Sequence, residues 1–224
     1  MKSFEIKNIN CHAALTMTEN TQSGRSMIEM LGVLAIIGVL SVGGIAGYSK
    51  AMQKYRINKT IEQITLIAGN VRTFFAPQGN YDGVHCECNN SPCGGQSSGD
   101  GCPVIKKAKI LPDEMVVTDN AGLITEISNA FGGNTNLDTY GTRGFYIDYQ
   151  IAYSEEVCIE LISQDWSNTG ASSVGLDYPR DIYDFNTTTV SLEDAVSLCS
   201  TALQGCKSYN FTSLCPSLRL LFDK

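Results

Sequence analysis

The stretch SGRSMIEMLGVLAIIGVLSVGGIAGYSK, residues 23–50, decides the fold of this chain. Residues 30–49 carry no charged side chain, and a helix that crosses a bilayer needs about 20 apolar residues. A secretory signal peptide would have a shorter apolar core followed by a cleavage site of small residues. A core helix of a globular protein would be amphipathic, whereas this segment is apolar on every side. The run therefore predicts a membrane-spanning helix.

One carboxylate, Glu29, stands at the edge of this apolar run. A carboxylate inside a bilayer is costly and usually has a partner, so Glu29 either faces water at the membrane edge or pairs with a cation. The preceding residues 1–24 are polar and end at Gly24, five positions before Glu29.

The pattern resembles the class III leader and cleavage site of type IV prepilins: a glycine is followed by four residues, then a glutamate, then an apolar run. The residues AIIG at 35–38 also match a stretch that pilins carry. The resemblance implies that a prepilin peptidase cuts between Gly24 and Arg25 and methylates the new N-terminus. It also implies that Glu29, then the fifth residue, pairs with the free α-amine of Arg25 on an adjacent subunit. A buried carboxylate is tolerable with such a partner.

The sequence departs from the family pattern in places. The first residue after the cut is Arg25, where many pilins have Phe or Met. The proline that kinks the helix in the type IVa branch is absent, and Gly43, Gly44 and Gly47 stand in that region. Each glycine weakens a helix by about 1 kcal/mol relative to alanine. The leader of 24 residues is more similar to the type IVb branch.

The charges that flank the run indicate the opposite orientation from the leader. The nearby cations are Lys2, Lys7 and Arg25 before the run, and Lys50, Lys54, Arg56 and Lys59 after it. The positive-inside rule taken alone would place the large domain in the cytoplasm. We predict a head outside the cytoplasm, because the leader motif and the cysteines both favour it.

The residues that follow the run, 50–80, continue the helix with an amphipathic pattern. Apolar residues recur four and three positions apart at Ile57, Ile61, Ile64, Ala68, Val71 and Phe75. This spacing places them on one helical face. The other faces take the polar residues Lys59, Glu62, Gln63, Asn70 and Arg72. Since Pro77 and Gly79 end the helix, we predict one helix over residues 26–76 that packs under a globular head; a coiled-coil dimer is the alternative for its second half.

Cysteine is the compositional outlier, with nine residues: Cys11, Cys86, Cys88, Cys93, Cys102, Cys158, Cys199, Cys206 and Cys215. Eight of them follow the apolar run. An even number in a loop-rich, glycine-rich domain indicates disulfides and an oxidising compartment.

The segment YDGVHCECNNSPCGGQSSGDGC, residues 81–102, raises the alternative of a zinc site, because His85 lies among four cysteines. Zinc ligands usually pair as C-x2-4-C, whereas one residue separates Cys86 from Cys88 and eight separate the other two cysteines. We therefore expect a loop stapled by two local disulfides. A Cys–His nucleophile at Cys86 or Cys88 is a weaker alternative, because the same thiols are placed for disulfides.

The rest of the head contains signals for one strand and two helices. Residues 145–153 are rich in aromatic and β-branched side chains, which is typical of a strand; its shared face would be Phe145, Ile147, Tyr149 and Ile151. Ser154 and Ser191 each precede acidic residues and are typical N-caps. The second of these helices is expected to run through Leu203.

This order of strand and cysteine-bearing helices is similar to type IVb pilin heads, in which a disulfide closes the C-terminal region. The similarity and the proximity of the cysteines favour the pairs Cys158–Cys199 and Cys206–Cys215. Eight cysteines allow on the order of a hundred pairings, so the other connectivities stay open.

Composition and motifs argue against nucleic-acid binding and catalysis. Charged residues are 17% of the chain and the net charge is −7, so there is no basic excess to neutralise phosphates. No phosphate loop, H-E-x-x-H or G-x-S-x-G motif occurs, and we expect no enzyme activity, cofactor or metal. Asp177, Asp181 and Asp184 differ in spacing from an EF-hand, and we interpret them as surface acids.

Together these features predict an α+β pilin fold, in which a long N-terminal helix packs under a disulfide-stapled head with an antiparallel sheet and short helices. Residues 1–24 would be a cleaved leader, residues 25–49 the transmembrane and assembly half of the helix, residues 50–76 its amphipathic half, and residues 77–224 the cysteine-rich head.

The resemblance implies a structural subunit of a type IV pilus-like filament. The subunit would lie in the bacterial inner membrane as a single-pass protein with a periplasmic head, and then in an extracellular or periplasmic filament. Expected partners are identical or related pilin subunits, a prepilin peptidase, pilus or secretion assembly machinery and the lipid bilayer. The alternatives are a minor pilin, a type II secretion pseudopilin, and a non-assembling single-span membrane protein with an extracytoplasmic binding domain.

Overall fold

The computed structural model describes residues 27–86, 102–122, 124–178, 181–185, 187–208 and 214–223. The chain forms two compact units, Met1–Gly47 and Tyr48–Lys224. The helices are α1 (Met27–Phe75), α2 (Cys102–Lys107), α3 (Glu155–Ile162) and α4 (Leu192–Ser208). The strands are β1 (Val116–Thr118), β2 (Ile124–Ile127), β3 (Thr135–Tyr140), β4 (Gly144–Ala152), β5 (Ser173–Tyr178), β6 (Asp181–Phe185) and β7 (Leu214–Asp223).

The longest element, α1, agrees with the helix predicted over residues 26–76. In the second unit its predicted apolar face is buried, apart from Ile61, which is partly buried. The helix ends where Pro77 enters the 3-10 turn Ala76–Gln78 and Gly79 takes a left-handed conformation with φ of 72°. Glycine adopts this conformation at little cost, so the sequence signals for the helix end are confirmed.

Five strands form one antiparallel sheet in the order β3-β4-β7-β5-β6, and β1 pairs with β2 in a separate two-stranded sheet. The side chains predicted to share one face of β4 are all buried. On the neighbouring strand β7, Phe222 is the register partner of Phe145, and the two rings stack with centroids 4.7 Å apart. The predicted combination of a long N-terminal helix with an antiparallel sheet and short helices is confirmed.

Both predicted N-caps are present in the head. The backbone amide of Val157 donates to Ser154 Oγ at 3.4 Å at the start of α3. At the start of α4 the amide of Asp194 donates to Ser191 Oγ at 3.1 Å, and the serine hydroxyl donates to the aspartate carboxylate at 2.6 Å. Each serine therefore satisfies an amide that has no partner within its helix.

The predicted end of α4 at Leu203 is wrong, because the helix continues to Ser208. Its last turns bury Ala202 and Cys206. This packing outweighs the weakening effect of Gly205, which is about 1 kcal/mol relative to alanine.

Three disulfides join described residues: Cys86–Cys102, Cys158–Cys199 and Cys206–Cys215. The second bond connects α3 to α4 and the third connects the end of α4 to β7, and both are pairs that the sequence favours. The first bond closes the cysteine-rich loop. Cys11, Cys88 and Cys93 lie outside the described residues.

The disulfide between α3 and α4 should stabilise the head more than the bond between α4 and β7. The two bonds close sequence separations of 41 and 9 residues. Loop-closure entropy then gives losses of about 4 kcal/mol for Cys158→Ala with Cys199→Ala and about 2.5 kcal/mol for Cys206→Ala with Cys215→Ala. Guanidinium unfolding followed by the fluorescence of the single tryptophan, Trp166, measures both. Equal losses, or the reverse order, would contradict the loop-length argument.

Candidate functional site

The first unit offers an apolar surface that no described residue of the chain covers. Every side chain between residues 27 and 47 is exposed, including Met27 at 87% and Leu40 at 69%. An 18-residue window of α1 has a mean hydropathy of 2.2, and in the described part of the chain α1 is the helix that is long and apolar enough to cross a membrane. A surface of this size and composition indicates contact with lipid or with other protein helices.

The predicted assembly residue, Glu29, lies in the first turn of α1. An acidic side chain there interacts favourably with the helix dipole. Among the described residues Glu29 takes part in no ion pair. The predicted processing residues, Gly24 and Arg25, lie outside the described residues. The predicted pairing of Glu29 with an N-terminal amine therefore remains a prediction.

The glycines of the apolar segment leave room on its surface. A Cβ added at any of them would meet nothing within 4 Å; they are Gly32, Gly38, Gly43, Gly44 and Gly47. Packing among the described residues therefore does not require glycine at these positions. Gly43 and Gly47 are four residues apart, which places them on one helical face. Small residues at this spacing let a second helix approach closely in a membrane.

The second half of α1 is held in the head by a buried hydrogen-bond cluster as well as by its apolar face. Tyr149 on β4 donates its hydroxyl to Gln63 Oε1 at 2.6 Å. The same hydroxyl accepts from Thr60 Oγ1 at 3.3 Å and from the Ala130 amide at 2.9 Å. Burial raises the pKa of Tyr149 to about 12, so its hydroxyl keeps its proton at neutral pH.

Three polar residues assigned to the other faces of α1 in fact contact the head. Gln63 is 3% exposed, so its placement away from the core face is wrong. The Asn70 amide donates to the Ile110 carbonyl at 3.0 Å. Arg72 donates to the carbonyl of Thr169 at 2.7 Å and lies over the ring of Phe222. These polar side chains find carbonyl or hydroxyl partners, and this makes their contact with the head favourable.

The face of the sheet opposite the core carries a charge cluster centred on Arg219 of β7. Its guanidinium makes two hydrogen bonds to Asp148, both at 2.6 Å, and one to Asp177 at 2.7 Å. It also lies over the ring of Tyr146, 4.4 Å from the centroid. Burial lowers the pKa of Arg219, but the hydrogen bonds and charges of the two aspartates outweigh burial and raise it overall. The cluster joins β4, β7 and β5 and therefore has a structural role.

The Arg219 cluster includes Asp177, one of the three aspartates compared above with a calcium-binding EF-hand. Asp177 binds Arg219, while the side chains of Asp181 and Asp184 lie outside those that the structure describes. Within the described residues no group of three or more His, Cys, Asp or Glu side chains is placed to hold a metal.

The histidine of the cysteine-rich loop pairs with an acid of the sheet. His85 Nδ1 lies 3.0 Å from Asp138 Oδ1, and the Tyr146 hydroxyl donates to the other carboxylate oxygen at 3.1 Å. The neighbouring Cys86 is bonded to Cys102. Neither sulfur is then free to act as a thiolate nucleophile or as a zinc ligand, whereas Cys88 lies outside the described residues.

Comparison with known proteins gives a family and a structural similarity. A family model described as PilS N terminal matches residues 54–214. No curated protein matches the sequence. Among solved structures, the chain is similar to the crystal structure of a type IV b pilin from Salmonella typhi, with 15% identity and a TM-score of 0.49. That similarity covers 75% of this chain and 99% of the other.

Removing the Tyr149 hydroxyl should destabilise the head. In Tyr149→Phe, the buried Gln63 Oε1 and the partly buried Ala130 amide would lose this partner, which costs about 1–3 kcal/mol. Guanidinium unfolding of the full chain in detergent micelles measures the change. Tyr140→Phe is the matched control, because Tyr140 is 53% exposed. This variant should have the unfolding free energy of the wild type.

The stabilisation that Tyr149 contributes to the folded head should depend on pH. The pKa of tyrosine in an unfolded chain is about 10, and that of Tyr149 in the folded protein is about 12. The stabilisation by Tyr149 is complete below pH 10 and is lost as the pH rises towards 12, because the unfolded state loses its proton first. The difference in unfolding free energy between wild type and Tyr149→Phe should therefore narrow over this window. A difference that stays constant from pH 9 to 12 would be at odds with a buried, neutral tyrosine.

Proposed function

The chain belongs to the PilS N terminal family and is a type IV pilin-like protein, and from this premise we propose that it is a structural subunit that polymerises into a type IV pilus-like filament. Residues 25–49 hold it in the inner membrane after synthesis, with the head in the periplasm. A prepilin peptidase removes residues 1–24. Assembly machinery then moves the subunit from the membrane into a filament of identical or related subunits.

The observation that carries this proposal is the contrast between the two parts of α1. Residues 27–47 present apolar side chains on all sides and are all exposed, whereas residues 57–75 bury one face in the head. Lipid chains and the apolar helices of other subunits can both cover the first part. One surface therefore serves the membrane-held state and the assembled state, and the head keeps its own core in both.

The proposed role of Glu29 follows from the cost of burying a charge. In a bundle of apolar helices its carboxylate needs a cation, since removing one partner of a buried pair costs about 3–5 kcal/mol. Cleavage after Gly24 creates such a cation, the α-amine of Arg25. The pair that forms between adjacent subunits would set the position at which each new subunit joins. The side-chain charge of Arg25 adds a second cation beside the same carboxylate.

Neutralising Glu29 should block assembly without affecting folding. We expect Glu29→Gln to be cleaved and retained in the membrane but to yield less than about a tenth of the filaments, because it loses the proposed pair. Sheared filaments quantified by immunoblot against total subunit measure this. Glu62→Gln, at an exposed carboxylate of the same helix, is the matched control and should assemble normally. Wild-type filament yield from Glu29→Gln would refute the assembly role of Glu29.

The processing step is tested separately by intact-mass measurement. The membrane-extracted wild-type protein should begin at Arg25, and Gly24→Leu should retain the full 224 residues, because a bulky side chain at the cut blocks the peptidase. Ser23→Leu adds the same bulk one residue earlier and should still be cleaved. A wild-type protein that begins at Met1 would support the alternative of a non-assembling single-span membrane protein.

A further inference from the structure

A cavity of about 360 Å³ lies in the second unit between the start of its helical segment and the end of β4. Its lining includes the aromatic or apolar Tyr48, Met52 and Phe131, the uncharged polar Ser49 and Gln53, and Arg56. Its walls therefore combine apolar and polar side chains, with one guanidinium among the described lining residues. Apolar walls with a small number of placed polar groups are typical of a ligand site.

The position of this cavity along the chain fixes its depth relative to a membrane. Tyr48 and Ser49, which both line it, are the last residues of the uncharged run. Arg56 follows Ser49 by seven residues, or about 10 Å at 1.5 Å per residue of helix. The headgroup layer extends about 5–8 Å beyond the hydrocarbon core on each side, and tyrosine is enriched at this boundary. If residues 30–49 span the bilayer, the part of the cavity formed by Tyr48 and Ser49 lies at the level of the lipid headgroups, and the backbone of Arg56 lies just beyond them. Because side chains on a helix tilt towards its N-terminus, the long side chain of Arg56 can reach back to the headgroup level.

The charges around the cavity favour an anion at Arg56. Among the described residues no carboxylate lines it, and Arg56 takes part in no ion pair with any of them. Of the other three cations after the run, Lys54 pairs with Glu160, and Lys59 pairs with Glu62 and Glu114. Lys50 takes part in no ion pair among the described residues, but it does not line this cavity. Arg56 is therefore the cation without an acidic partner that lines the cavity. A guanidinium can bind the oxygens of a phosphate through two parallel hydrogen bonds.

We propose that this cavity binds the phosphate-bearing headgroup of an anionic phospholipid while the subunit is held in the membrane. Arg56 contacts the phosphate, and the apolar walls formed by Tyr48, Met52 and Phe131 contact the glycerol and the first methylene groups. The inference rests on the membrane insertion proposed above. It gives Arg56, one of the cations that follow the apolar run, a role on the head side of the membrane, where the positive-inside rule does not predict an excess of cations.

The test uses the full chain in nanodiscs of phosphatidylcholine with or without phosphatidylglycerol, each doped with a photoactivatable lipid of the same headgroup. Peptide mapping should place the phosphatidylglycerol crosslinks on the cavity lining, at least about fivefold above the phosphatidylcholine probe. Arg56→Gln should reduce this labelling about fivefold, which corresponds to about 1 kcal/mol for one cation at an anionic surface. Lys107→Gln, at an exposed cation on α2, is the control and should label like wild type.

Several results would overturn the proposal. Equal labelling by both lipids, or labelling unchanged in Arg56→Gln, would show that no headgroup site exists. Competition by glycerol phosphate alone would assign the site to a soluble phosphate, and chain-to-chain crosslinks at the cavity would assign it to a second subunit. Incorporation into the discs is measured in the same samples. Failure to incorporate would count against membrane insertion itself, whereas normal incorporation without headgroup selectivity would count against this site alone.

Discussion

The packing of one face of α1 against the core is the interaction on which the head depends. Ile57, Ile64, Val71 and Phe75 on this face are at most 1% exposed, and burial of each such side chain contributes about 1.5–3 kcal/mol. A whole domain has a net stability of only about 5–15 kcal/mol. The contribution of this one helical face is of the same order, so the sheet and the short helices cannot be separated from residues 57–75 without exposing much of their core.

Apolar packing alone would leave the rotation of α1 weakly defined, because hydrophobic contacts have no direction. The hydrogen bond that Tyr149 donates to Gln63 and the one that it accepts from Thr60 supply that direction. Turning the helix by one residue would move it by about 100° and leave buried polar atoms without partners, which is expensive. The bonds that Arg72 makes to two backbone carbonyls act in the same way at the far end of the helix. The polar contacts therefore select one packing among several that the apolar face would allow.

The parts of the fold that depend on local chemistry could be predicted from the sequence. The bounds of α1, the core face of β4 and the N-caps at Ser154 and Ser191 follow from periodicity, alternation and hydrogen-bonding side chains. The burial of Gln63 could not be predicted, because its partner Tyr149 is 86 residues away along the chain. In the same way, the extension of α4 to Ser208 depends on the packing of Cys206 in the folded head, whereas Gly205 taken alone predicts an earlier helix end.

The candidate site rests on a motif rather than on contacts within the chain. The resemblance to the prepilin leader singles out Gly24 and Glu29, and their roles stay predictions, because no geometry within a single chain can show a contact between two subunits. Which of the cations after the run form ion pairs could not be predicted, since Glu160 and Glu114 approach α1 only in the folded head.

In the proposed function, the two units differ in whether their apolar side chains are buried within the chain or exposed. In the second unit the apolar face of residues 57–75 is buried and a disulfide joins α3 to α4, so this packing is made within the unit. The side chains of residues 27–47 are all exposed, so the free energy of the apolar ones depends on a neighbour. Exchange of lipid for other helices then changes the surroundings of residues 27–47 while the head stays folded. Lipid and helix surfaces are about equally apolar, so the hydrophobic effect does not separate the two states. The proposed ion pair of Glu29 and the close helix approach that glycine allows would then determine whether the subunit is more stable in the membrane or in the filament.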